Sequence, residues 1–258
     1  MNCIYCNCCL NGSNRSREHV IPQWVIRKLG LEKYKHNFVP VSSDLIESSP
    51  RTPVTSTLTH IICNKCNNGW LSDIDESCIE LLSSLIDGYP FYLDSDLNSI
   101  TKLHTLLYKI FLNFFATSPS SFTNKKLDVY HKFYQQKHPP SNVDFYIANV
   151  ISTDPIKIYS PDVWIGERIP NQANNFFRQP FGVRFKFFLQ LGKISFVLCS
   201  TGDKKKAIVF DPKYLNPVIK TEQSISQDLG LHVPVPQHFD QTLGMSVLIN
   251  SLQFIEIV

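Results

Sequence analysis

The sequence predicts an α+β protein: a small cysteine-rich N-terminal module, a helical middle and a mostly β C-terminal domain. Three observations carry this reading. Six of the eight cysteines fall within residues 1–75. Apolar residues then recur at helical spacing, first in "LSDIDESCIELLSSLIDG" and again in "DLNSITKLHTLLYKIFLNFFATSP". From about residue 140, short runs rich in Val, Ile, Phe and Tyr alternate with Gly, Pro and Asn, the pattern of strands and turns.

A chain of 258 residues with 43% hydrophobic and 18% charged residues has the composition of a folded globular protein rather than a disordered one. Its net charge of +3 is too mild to argue by itself for nucleic-acid binding. The N-terminus lacks the basic and apolar regions of a signal peptide. The longest apolar stretches, at 106–116 and 185–199, are short of a membrane span and interrupted by Lys. These features lead to the expectation of a cytoplasmic protein with no membrane partner. Thiols stay reduced in the cytoplasm, so clustered cysteines point to metal rather than to disulfides.

The chain begins "MNCIYCNCC", and "CNKC" follows at 63–66. A C-x-x-C turn brings two sulfurs to one side of a tight loop, and two such loops close a tetrahedral sphere around structural zinc. Cys3 and Cys6 are the preferred first pair, with Cys6 and Cys9 as the alternative; Cys63 and Cys66 are the second. Cys8 and Cys9 are then surplus thiols, one of them a substitute ligand at most. A redox C-x-x-C would follow a strand in a βαβ pattern, which is missing here.

Between the cysteine pairs, "SREHVIPQWVIRKLG" reads as a strand ending in Glu18-His19, both aimed outward and stopped by Pro22, then a short helix. Residues 39–60, rich in Ser, Thr and Pro, read as an irregular connector with short strands. The first long helical pattern stops at Gly88, and the second starts at Asp96 or Ser99 and ends before Pro119. The segment "RFKFFLQLGKISFVLCS" reads as a hairpin turning at Gly192-Lys193. A domain boundary near residue 95 separates 1–95 from 96–258, whose role is open between DNA positioning, oligomerisation and regulation.

The order C-x-x-C, E-H-V-I-P, C-x-x-C-N-N-G-W resembles the zinc-knuckled branch of the HNH endonuclease family, whose core is a ββα-metal fold. It is also similar to a bacterial group in which EHxxPxW and CNNGW recur. The likeness covers residues 1–75. It implies an endonuclease hydrolysing DNA, with His19 as the general base that deprotonates water. It further implies a catalytic magnesium or manganese ion held by Glu18 and Asn67, with Asn68 as the neighbouring candidate. The zinc is then structural, pinning strand and helix so that Glu18, His19 and Asn67 converge.

The family's middle Asn has no counterpart in "TSTLTHIIC", which leaves Thr57, Thr59 or His60 to orient the histidine. Arg15 and Arg17 flank the site as phosphate contacts or plain solvated charges. Trp24 and Trp70 read as core packing. Such an enzyme suits phage defence or a mobile element. Double-strand cleavage would ask for a homodimer, and an activating protein partner is a further expectation. The competing expectation is a catalytically inactive, zinc-stabilised module that binds nucleic acid or a protein.

Overall fold

The computed structural model describes residues 1–33, 35–36, 52–53, 59–89, 97–117, 124–151, 155–159, 163–165, 176–178, 185–200, 206–209, 216–219, 237–238 and 253–256. Helices and strands are both present, as an α+β class requires. The chain divides into two compact units, one made of residues 1–40, 44–83 and 96–140, the other of 41–43, 84–95 and 141–258. The division therefore falls near 140, not 95. The cause lies in the helix Leu97–Ala116, whose apolar side has its partners in the cysteine-rich module.

The first unit contains β1 (Arg15–His19), β2 (Lys35–His36), β3 (Thr52–Pro53) and β4 (Thr59–Cys63). β1 and β4 form an antiparallel ribbon in which Arg15 faces Cys63, Arg17 faces Ile61, Glu18 faces His60 and His19 faces Thr59. β1 ends at His19, and Pro22 caps the short helix Gln23–Lys28, because a residue without an N–H is tolerated there. β2 pairs with β3 within the expected connector; the rest of 39–58 lies outside the described residues.

β4 runs straight into a helical stretch, Asn64–Cys66, Asn67–Leu71 and Ser72–Glu76, which kinks at Gly69. The next helix, Ile79–Asp87, ends at Gly88 with φ +86°, a left-handed geometry glycine adopts without cost. The helix Leu97–Ala116 is buried along most of its length. Asp96 and Pro119, its expected limits, lie outside the described residues, and Ser99 sits inside the helix.

The helix Asn124–Gln136 was not apparent in the sequence, because its surface is polar and only a narrow stripe is apolar. That stripe includes Tyr130 and Phe133, both buried. They join Tyr5, Trp70 and Tyr108 in a cluster of edge-to-face rings, with Tyr5–Trp70 and Trp70–Phe133 centroids each 5.3 Å apart. Trp70 thus packs in the core, as its position led one to expect.

The second unit is built from β5 (Asp144–Ile151), β6 (Ile156–Tyr159), β7 (Val163–Ile165), β8 (Phe176–Arg178), β9 (Phe185–Leu191), β10 (Ile194–Ser200), β11 (Lys206–Val209), β12 (Asn216–Ile219), β13 (Gln237–His238) and β14 (Gln253–Glu256). Its main sheet has the order β12-β5-β10-β9-β6, with β13 added parallel to β5. β9 and β10 make the expected hairpin, with Leu191 opposite Ile194 and Gly192 at φ +58° in the turn. A side chain at Gly192 would also meet the Ile86 carbonyl oxygen at 2.8 Å. β10 is buried at every position, as a central strand covered on both faces must be. Among the described residues, no helix is long and apolar enough to cross a membrane.

Candidate metal centre and the ribbon beside it

The N-terminal knuckle is closed by two backbone bonds, from Cys3 N–H to the Cys8 carbonyl (2.8 Å) and from Asn7 N–H to the Cys3 carbonyl (2.9 Å). Asn7 takes φ +60°, a conformation that asparagine tolerates and that reverses the chain. The second knuckle sits where β4 turns into helix. There the Cys66 N–H donates to the Cys63 sulfur at 3.4 Å.

The ligand atoms of Cys3, Cys6, Cys63 and Cys66 all lie within 4.8 Å of one another. Zinc–sulfur bonds of about 2.3 Å in a tetrahedron would set sulfurs roughly 3.8 Å apart, so the spacing fits. The electrostatics agree. Hydrogen bonding from Cys66 draws the Cys3 thiol down to about 4, while Cys66 is pushed far up by the same contact and Cys63 is raised by burial. Crowded thiols cannot all ionise together without a cation. The four sulfurs can hold a metal such as zinc, and Cys3–Cys6 is the N-terminal pair that takes part.

The knuckles fix both ends of the ribbon that carries Glu18 and His19. Along β1 the side chains alternate: Arg15 and Arg17 are exposed and His19 half-buried on one face, while Glu18 on the other is 5% exposed. The two residues expected to point outward together therefore point apart. A strand's period of two makes this unavoidable.

Glu18 enters a buried polar network. Its Oε1 meets the Lys109 ammonium at 2.8 Å and accepts from the Asn113 amide at 3.0 Å. Lys109, itself 0% exposed, also reaches the Asp75 carboxylate at 2.7 Å and the Leu71 carbonyl at 3.2 Å. Its three N–H groups are thus all engaged. The Asn113 carbonyl accepts from the Tyr5 hydroxyl and from His60 Nε2 (2.9 Å), which places the proton of His60 on that nitrogen. His131 steadies Tyr5 through the backbone, its Nδ1–H donating to the Tyr5 carbonyl at 2.8 Å.

His19 lies apart from this network. Its contact is Gln23, whose side-chain amide is 3.3 Å from Nδ1. Burial lowers the pKa of His19, with the nearby positive charge of Lys109 as the lesser cause. Asn67 is held by a third set of contacts: its amide donates to the Ser16 hydroxyl and to the Arg17 carbonyl (3.3 Å). That stitches the start of the helical stretch to β1.

Glu18, His19 and Asn67 thus each have their own partners instead of converging on one ion. A divalent ion does not fit at Glu18 as folded, since it would compete with an ammonium for the same carboxylate oxygen. Among the described residues, the four cysteines are the only group of three or more His, Cys, Asp or Glu placed to hold a metal. His60 is turned to Asn113 and not to His19; Thr57 and the side chain of Thr59 lie outside the described residues.

Three participants were missed in the sequence. Lys109 and Asn113 stand four apart as polar interruptions of "LLYKIFLNFFA", a spacing that puts both on one helix face. Gln23 stands four residues past His19, across a proline that turns the chain back. No protein-family model, curated protein or solved structure matches this chain.

Proposed function

We propose that this chain is a zinc-stabilised, HNH-type endonuclease that hydrolyses DNA phosphodiester bonds with His19 as its general base. One observation carries the reading. Arg15, Arg17 and His19 share the outer face of β1, two exposed guanidinium groups leading to a half-buried imidazole. Residues two apart on a strand are about 6.5 Å apart, so the arginines form a short positive track that ends at the histidine. Guanidinium groups bind phosphate oxygens bidentately and neutralise their charge.

The lowered pKa of His19 supports its role, because a base must be neutral to take a proton. With the Gln23 amide turned so that its oxygen accepts from Nδ1–H, Nε2 keeps the lone pair that removes a proton from water. The hydroxide attacks phosphorus while Arg17 and Arg15 offset the negative charge on the phosphate. Zinc held by Cys3, Cys6, Cys63 and Cys66 keeps the ribbon fixed against the helical stretch and touches no reacting atom. No step is routed through magnesium or manganese, because Glu18 and Asn67 are engaged elsewhere.

The engagement of Glu18 by Lys109 favours a second reading, an inactive module that binds nucleic acid through the same arginine face. Plasmid DNA and the corresponding RNA, incubated with wild type and His19→Ala, separate the two. The proposal expects wild type to cut DNA and His19→Ala to lose at least 100-fold of that rate, as removal of a general base does, with zinc and fold retained. Equal activity in the variant sinks the mechanism. Binding without cleavage selects the second reading. Cleavage abolished by a chelator that leaves zinc in place would reinstate a divalent ion at Glu18, with Lys109 displaced.

A further inference from the structure

We infer that Cys8 is a fifth, exchangeable ligand of the four-sulfur centre, able to take the place of Cys6 on the metal. The inference rests on the proposed zinc and extends it to a residue outside the four. Cys8 closes the knuckle loop through its carbonyl, which accepts from Cys3 N–H at 2.8 Å. The left-handed turn at Asn7 lies between Cys6 and Cys8 and brings both thiols to one side. As a result, the Cys8 thiol lies within hydrogen-bonding reach of both Cys6 and Cys63, whose own sulfurs are 3.5 Å apart. Cys9, the next residue, is exposed.

Cys6 is the ligand to be exchanged. Cys3, Cys63 and Cys66 are buried, whereas Cys6 is only half-buried. It is the thiolate that solvent and reagents reach. In the exchange, the metal–sulfur bond to Cys6 breaks and that thiolate takes up a proton. Cys8 gives its proton to water and forms the new bond, so ligand number and charge stay constant.

Metal content and cobalt spectra of the full chain test this, because the intensity of thiolate-to-cobalt charge transfer follows the number of thiolates bound. Cys6→Ser should keep about one metal per chain with an undiminished spectrum. Cys6→Ser/Cys8→Ser should lose the metal, or about a quarter of the absorption per cobalt as one thiolate in four goes. A Cys6→Ser protein as depleted as the double variant overturns the inference. Wild type without zinc would instead overturn the zinc reading itself.

Should Cys6→Ser not fold, brief alkylation of zinc-loaded wild type decides the matter. Exchange predicts single labels found on either Cys6 or Cys8 in molecules that retain zinc. Label on Cys8 with Cys6 always protected overturns it.

Discussion

Glu18 and His60 stand directly opposite each other across the β1–β4 ribbon, and both are bonded to the side chain of Asn113. The amide serves three partners with opposite needs, donating to the carboxylate while accepting from His60 and the Tyr5 hydroxyl. The ribbon is thereby locked to the long helix from the side opposite the arginines.

Replacing Asn113 by Ala should therefore cost more than one hydrogen bond. It strands Tyr5, His60 and part of Glu18 in a buried setting, where each unsatisfied group costs about 1–3 kcal/mol. The expected loss is about 3 kcal/mol or more, read as faster amide hydrogen exchange across β1 and β4. Exchange in the β9–β10 hairpin serves as the internal control. Unchanged protection of the ribbon would show that the amide is dispensable.

Lys109 is the second lock. Lys109→Met removes the only cation printed against two carboxylates and should destabilise the first unit by about 3–5 kcal/mol, the cost of an uncompensated buried charge. Lys109→Met combined with Glu18→Gln should recover part of that loss, as should the combination with Asp75→Asn. If neither double variant is more stable than the single, packing and not charge is what Lys109 supplies.

Lys109 also acts at a distance on His19, whose pKa it depresses as the lesser of two causes. In the proposed mechanism the acid limb of the cleavage profile reports the imidazole, so its midpoint should lie below the ordinary value of about 6.5. The limb should move upward in Lys109→Met, because a neighbouring positive charge has gone. A limb that stays in place in the variant would disconnect His19 from the rate.

The metal knuckles were legible in the sequence because C-x-x-C is a local arrangement: two sulfurs at that spacing meet whatever the rest of the chain does. The strand at Glu18-His19 and the hairpin at Gly192 were legible for the same reason. What escaped notice was set by contacts distant in the chain. Asn113 meets Glu18 across 95 positions and Lys109 meets Asp75 across 34. No spacing in either segment announces its partner. The outward aim expected for Glu18 failed on a simpler point, since adjacent strand residues face opposite ways and only one of the pair could remain near the surface.

The proposed zinc makes its own prediction about stability. A structural metal contributes folding energy directly, because its site does not exist in the unfolded chain. A strong chelator should expose the β1–β4 amides to exchange and open Cys63 and Cys66 to alkylation, while the β9–β10 hairpin, in the other unit, keeps its protection. Restoring zinc should reverse the change. Protection that survives complete removal of metal would leave the four thiols as a packed core cluster only.

Buried histidines set the acid limit of the first unit. Burial lowers His60 to about 4 and His104 to about 3. The unfolded chain takes up these protons near pH 6.5, so the stability they contribute is complete above that value. It falls as pH drops, at about 1.4 kcal/mol per pH unit for each histidine, until the folded-state value is reached. Asp75 runs the other way: burial raises it to about 6, so the folded protein binds its proton first and gains stability as pH falls from there toward 3.8. Two histidines against one carboxylate leave a net loss toward acid. Release of zinc from protonated thiolates adds to that loss, but equally in wild type and in a distant variant. The test is therefore a difference between urea midpoints of wild type and His104→Leu at pH 7, 5.5 and 4.5. The gap should shift in favour of the variant by about 1.4 kcal/mol for each pH unit below 6.5, and a gap independent of pH would mean that His104 takes up a proton in the folded state as readily as in the unfolded one.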